Sequence, residues 1–118
     1  MNYDLEERTA KFGEGIIDFV KTLKQNRVNY VLVSQLVRSA TSIGANYCEA
    51  NNASSKSDFR NKIFICKKES QETKHWLRML STYDLNLKEN IMRLWQEAQS
   101  LTMIFQKITN SLNRKFDN

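Results

Sequence analysis

Apolar residues recur along this chain at alternating steps of four and three in four successive stretches, and that rhythm limits the possible folds more than any other feature. In the first stretch the positions are Leu5, Phe12, Ile16, Phe19 and Leu23, with Thr9 filling the missing step. The second has Val33, Leu36, Ala40, Ile43, Tyr47 and Ala50, and the third Phe59, Ile63, Cys66, Ser70, Thr73, Leu77 and Leu80. The fourth runs Leu87, Ile91, Leu94, Ala98, Leu101, Phe105, Ile108 and Leu112. Residues three and four apart share one face of an α-helix, so each stretch reads as a helix with a single stripe to bury. Polar breaks near residues 24–28, 51–56 and 81–85 interrupt the phase of the stripe and argue against one long coiled coil. Helices over residues 5–24, 29–50, 57–81 and 86–115, joined by links this short, must run antiparallel to their neighbours. The expectation is an all-α, antiparallel up-down-up-down four-helix bundle forming one domain over residues 1–118.

Composition agrees with that reading. With Pro 0 and Gly 3 in 118 residues, there are few places for a sheet to reverse. Ser57 is the expected N-cap of the third helix, and Asp58 behind it suits the positive end of the helix dipole. The opening residues 1–7 are acidic and contain no apolar run, so no secretory signal is expected. The longest apolar runs, Tyr30 to Val33 and Ile63 to Cys66, fall far short of a membrane span. A cytoplasmic location follows as the expectation. Cys48 and Cys66 lie inside helical patterns without metal-ligand spacing and are expected to be buried free thiols.

The same spacing excludes most chemistry. Di-metal carboxylate bundles need Glu-x-x-His on two helices. Only Glu72-Thr73-Lys74-His75 matches, and His75 is the one histidine. No Ser-His-Asp or Cys-His arrangement can be built around it. Gly13-Glu14-Gly15 lies inside helix one and lacks the spacing of a phosphate-binding loop. No catalytic residue, metal or cofactor is therefore expected, and a membrane-surface role is disfavoured because the bundle needs every apolar face.

Three surfaces remain. Gln35, Ser39, Ser42, Asn46 and Glu49 form a polar stripe on helix two, roughly 80° round from its apolar line. It reads either as a satisfied seam between helices or as a ligand site around Asn46 and Glu49; in both cases its groups must be hydrogen-bonded. On helix three, Arg60, Lys67, Lys74 and Arg78 lie within about 40° of one another, a basic line about 25–30 Å long with Lys56 extending it. Such a line suits successive phosphates of a nucleic acid, or is a solvated face. The formal charge of +5 favours a polyanion without demanding one. Opposite the basic line come Ile65, Glu69, Glu72 and Trp76, and helix four places Met92 and Met103 off its core line. Ile65, Trp76, Met92 and Met103 are the candidate self-association residues.

The run from Gln35 to Ala50, QLVRSATSIGANYCEA, followed by Ser57-Asp58-Phe59 and Glu69-Ser70-Gln71-Glu72-Thr73, resembles the four-helix-bundle family named for proteins encoded in 23S ribosomal RNA intervening sequences. The likeness is specific in helix two and elsewhere is mainly rhythm. It implies a bacterial cytoplasmic protein of unknown function, a homopentamer of antiparallel bundles, and no known enzymatic activity. The family also resembles the accessory variability proteins of diversity-generating retroelements, which implies basic pentamers that engage nucleic acid and a reverse transcriptase. Members commonly carry a proline between helices one and two, whereas Lys24 to Val28 has none here. The family supplies no agreed site residues. Two readings stay open: an oligomeric protein that binds RNA or other nucleic acid through Arg60, Lys67, Lys74 and Arg78, and a protein-interaction module whose basic line is incidental.

Overall fold

The computed structural model describes residues 2–117, with side chains from Asp4 to Arg114. Four α-helices follow one another: α1 (Asn2–Lys21), α2 (Arg27–Asn51), α3 (Lys56–Tyr83) and α4 (Lys88–Asp117), with one turn of 3-10 helix at Leu85–Leu87. The rod measures 50 × 23 × 21 Å. Cross-helix pairs give the direction of each neighbour. Glu6 meets Cys48 while Gly13 faces Thr41. Lys62 meets Glu49 while Thr73 meets Ser39. Arg60 meets Asn113 while Lys74 meets Gln99. In each case one helix ascends as the other descends, so the bundle is antiparallel throughout.

The stripes form its centre. Ile16, Leu36, Ala40, Ile43, Ile63, Cys66, Leu77, Ala98, Leu101 and Phe105 are completely buried. Tyr47 and Phe105 meet at 6.0 Å between ring centres, tilted by 50°. The buried face is wider than the stripe, for Val20, Thr102 and Thr109 are buried as well. Hydroxyls occupy such positions because each bonds a carbonyl one turn back in its own helix. Ser70 donates to Cys66, Thr102 to Ala98 and Thr109 to Gln106, at 2.8–2.9 Å. The hydrogen bond lost to water is thus replaced locally, and burial carries little polar penalty. α1 packs close to α2 at Gly44, where an added Cβ would lie 3.4 Å from the Thr9 hydroxyl, in ordinary van der Waals contact.

The helix ends show two departures from expectation. α3 begins one residue early, at Lys56, and its N-cap is Ser55, not Ser57, with the backbone extended at φ −152° and ψ 164° and the hydroxyl accepting from Asp58 N at 3.0 Å. Ser57 already lies inside the helix, where its hydroxyl cannot serve the first turn. At the start of α2, Asn26 and Asn29 form a reciprocal capping box. The Asn26 amide also donates to the Tyr83 hydroxyl, which joins the α1–α2 and α3–α4 links at one end of the rod. Cys48 is exposed rather than buried, its thiol directed to Glu6 at 3.4 Å. Cys66 is buried, and burial pushes its pKa up to about 12, so it stays a protonated, inert thiol.

Candidate nucleic-acid interface on the third and fourth helices

α3 is flanked by α2 and α4, and the two flanks carry different chemistry. Toward α2 the polar stripe becomes a closed seam. Ser39 is completely buried, and the Thr73 hydroxyl lies 2.9 Å from its own. Ser42 donates to the Arg38 carbonyl, Asn46 to the Ser42 carbonyl, and Gln35 accepts from Arg38 Nε at 3.0 Å. Glu49 accepts from Lys62 at 2.9 Å. Arg38 reaches across to Glu69 at 3.3 Å and to Glu72. The guanidinium holds the Glu72 carboxyl below its usual range, whereas burial, with Glu72 nearby, holds Glu69 above it. Every member of the predicted stripe therefore has a partner on or within the α2–α3 boundary.

Trp76 belongs to this flank too. Its indole N–H donates to Glu72 at 3.3 Å, it packs partly buried against the core, and His75 meets it edge-on at 4.8 Å. Ile65 is also half-buried. Neither points freely outward. Met92 and Met103 are open, at 47% and 55% exposure. A larger apolar exposure went unread in the sequence: Val28, Tyr30, Val31 and Leu85 are 57–75% exposed, with Tyr83 beside them, at the end where the two links meet. Its signal was apolar residues off the stripe at the start of α2.

Toward α4 the basic line forms a ladder. Arg60 Nε donates to Asn113 at 2.8 Å, Lys67 Nζ to Gln106 at 3.0 Å and Lys74 Nζ to Gln99 at 2.5 Å. As α3 advances seven residues α4 retreats seven, so each rung repeats the one before. Arg60 and Lys67 also lie over the Phe64 ring, at 5.3 and 5.5 Å, and Lys74 over Trp95 at 5.4 Å. Arg78, beyond the last rung, is exposed. Ion pairs join Arg8 to Glu97, Arg38 to Glu69 and Glu72, and Lys62 to Glu49. Lys67, Lys74 and Arg78 enter none of them. A neutral amide orients a cation but leaves its charge, so the ladder keeps a positive field directed outward. The amides and rings were missed in the sequence, although Gln99, Gln106 and Asn113 repeat the seven-residue step of the cations.

Among the described residues no group of three or more His, Cys, Asp or Glu side chains converges as a metal site would, and no helix is long and apolar enough to cross a membrane. Fold and surface together define a small all-α bundle that displays its distinctive chemistry along one side. Residues 1–107 match the family model of the 23S rRNA-intervening sequence protein, and the chain belongs to that family. It is also similar to a solved Bacteroides thetaiotaomicron structure, described as a protein with unknown function from the S23 ribosomal protein family. The two are 29% identical over 92% of this chain and 97% of that one, with a TM-score of 0.84. No curated protein matches.

Proposed function

We propose that this protein is a non-enzymatic, self-associating bundle that binds RNA or other nucleic acid through the α3–α4 ladder. The observation that carries the reading is that Lys67 and Lys74 are held in line by the neutral amides of Gln106 and Gln99, not by carboxylates. Cations fixed in place without being neutralised release counterions when phosphates replace water around them, and that release drives association. The 23S rRNA-intervening sequence family carries ribosomal RNA in its name, and the similar structure is described as from a ribosomal protein family, which supports the same reading. Self-association is supported by the open side chains of Met92, Met103 and the link-end cluster.

The test is binding of a folded RNA by fluorescence anisotropy at increasing salt, with light scattering on the same samples. Reversing charge with Lys67→Glu and Lys74→Glu is expected to weaken binding about tenfold per lysine and to flatten the salt dependence by about 0.9 per cation removed. Helicity should be unchanged, since neither side chain supports the core. Binding that ignores both substitutions, or none at low salt, defeats the nucleic-acid reading. A monomer at micromolar concentration defeats the assembly reading.

A further inference from the structure

We propose that the nucleic acid taken by this face is double-stranded and is gripped through its phosphates without regard to base sequence. This rests on the nucleic-acid reading above and narrows its substrate class.

The first observation concerns the rings. Proteins that hold single strands offer aromatic faces on which successive bases stack. The two rings of the ladder are already occupied: Phe64 lies beneath Arg60 and Lys67, and Trp95 beneath Lys74. Both are half-buried between the helices. Their role is to hold cations at fixed heights above the surface, and no open ring face is left along the row for a base.

The second observation is shape. The ladder lies in the boundary between two packed helices, so neither helix projects alone. The rod is 23 × 21 Å in cross-section, while the major groove of B-DNA is about 12 Å wide and that of an RNA duplex is deep and narrow. The bundle cannot enter either major groove, so the base edges that carry the unique sequence code stay out of reach. What a flat face can meet is the backbone, and backbone contacts carry no sequence information.

The third observation is rigidity. At 1.5 Å per residue the rungs stand about 10.5 Å apart, and Arg60 to Arg78 spans about 27 Å in a straight line. A duplex presents stiff rows of phosphates, one charge per about 1.7 Å of its axis. It meets such a row without rearranging. A flexible strand has to be straightened before it reaches every cation, and here no stacking offsets that loss.

The experiment uses the full chain and three labelled RNA probes: a mixed-sequence hairpin stem, a stem of scrambled sequence, and an unstructured strand of equal length. Stem should bind at least about tenfold more tightly than strand, because the strand forgoes the stacking that sustains single-strand binding elsewhere. The two stems should agree within about twofold, since phosphates are common to both. Phe64→Leu, with helicity checked by circular dichroism, should leave stem still preferred to strand. A strand bound as tightly as the stem overturns the inference, as does a Phe64→Leu protein that selectively loses the strand. Stems that differ widely overturn its sequence-independent part. If neither probe binds at low salt, the parent reading fails too, so the two failures are distinguishable.

Discussion

One helix separates two ways of handling charge. On the flank of α3 that meets α2, charges are answered by their opposites: Arg38 by Glu69 and Glu72, Lys62 by Glu49. On the flank that meets α4, Lys67 and Lys74 are answered by Gln106 and Gln99, which give a direction but no counter-charge. Both arrangements satisfy hydrogen bonds and hold long side chains still. Only the second leaves a field outside the protein. The α2–α3 flank therefore neutralises its own charge, and the α3–α4 flank leaves its charge displayed at the surface.

The comparison is broken most directly at the buried centre of the first flank. Thr73 and Ser39 touch hydroxyl to hydroxyl at 2.9 Å, and each also bonds a carbonyl one turn back, Glu69 at 2.8 Å and Leu36 at 3.2 Å. Thr73→Val should cost about 1 kcal/mol in a urea unfolding curve, and Ser39→Ala a similar amount. Together they should cost less than their sum, because the contact between the two hydroxyls is lost in either single variant and can be lost only once. RNA affinity should not move. If Thr73→Val weakens RNA binding as much as the lysine reversals do, the two flanks are not separate and the comparison fails.

A smaller effect is expected at Arg38, whose side chain is 45% exposed and therefore well screened. Arg38→Met should cost about 0.5–1 kcal/mol at neutral pH. The pH dependence follows from the two carboxyls. Glu72 is held below its ordinary 4.5 by the guanidinium, so its contribution is present above that value and is lost as pH falls through the lowered pKa. Glu69 is held above 4.5 by burial, so on acidification it takes its proton first, and between its raised pKa and 4.5 that uptake favours the folded state. Without Arg38, Glu72 loses the largest cause of its depression and Glu69 rises further. The gap between Arg38→Met and the parent protein should narrow steadily from pH 7 toward pH 3 in parallel urea curves. A gap that stays constant with pH places the cost in lost packing and not in charge.

The sequence disclosed the core more fully than the surface, for a reason visible in particular residues. Ile16, Leu36, Ile43, Ile63, Leu77 and Leu101 are all completely buried, as their spacing required, because periodicity within one helix is local information. The cations of the ladder were legible for the same reason. Their partners were not: whether Lys67 meets Gln106 or a carboxylate depends on how α3 and α4 are rotated and staggered against each other, which no single-helix pattern encodes. Trp76 reads as outward on a wheel of α3 alone and proves half-buried, because it packs against the core cluster once the helices are assembled. Ser55 and Ser57 are equally good caps by chemistry, and only the extended backbone at Ser55 decides between them. Val28, Tyr30 and Val31 show the converse, since their exposure is an absence of neighbours that spacing cannot reveal.

The smallest expected change in stability comes from giving the second flank the chemistry of the first. Gln106→Glu keeps the length of the side chain that meets Lys67 at 3.0 Å and adds a negative charge where the amide oxygen stood. An accessible pair of this kind contributes about 0.2–0.5 kcal/mol, so the unfolding curve should shift slightly toward greater stability. Binding should move the other way, with the salt dependence flattened by about 0.9, as though one cation had been removed, although every cation is still present. That opposition is what separates a charge displayed for a partner from a charge that serves the fold. A Gln106→Glu protein with unchanged RNA affinity and salt dependence means that Lys67 does not meet phosphate. The amides of α4 would then be ordinary packing, and the contrast between the two flanks would carry no functional meaning.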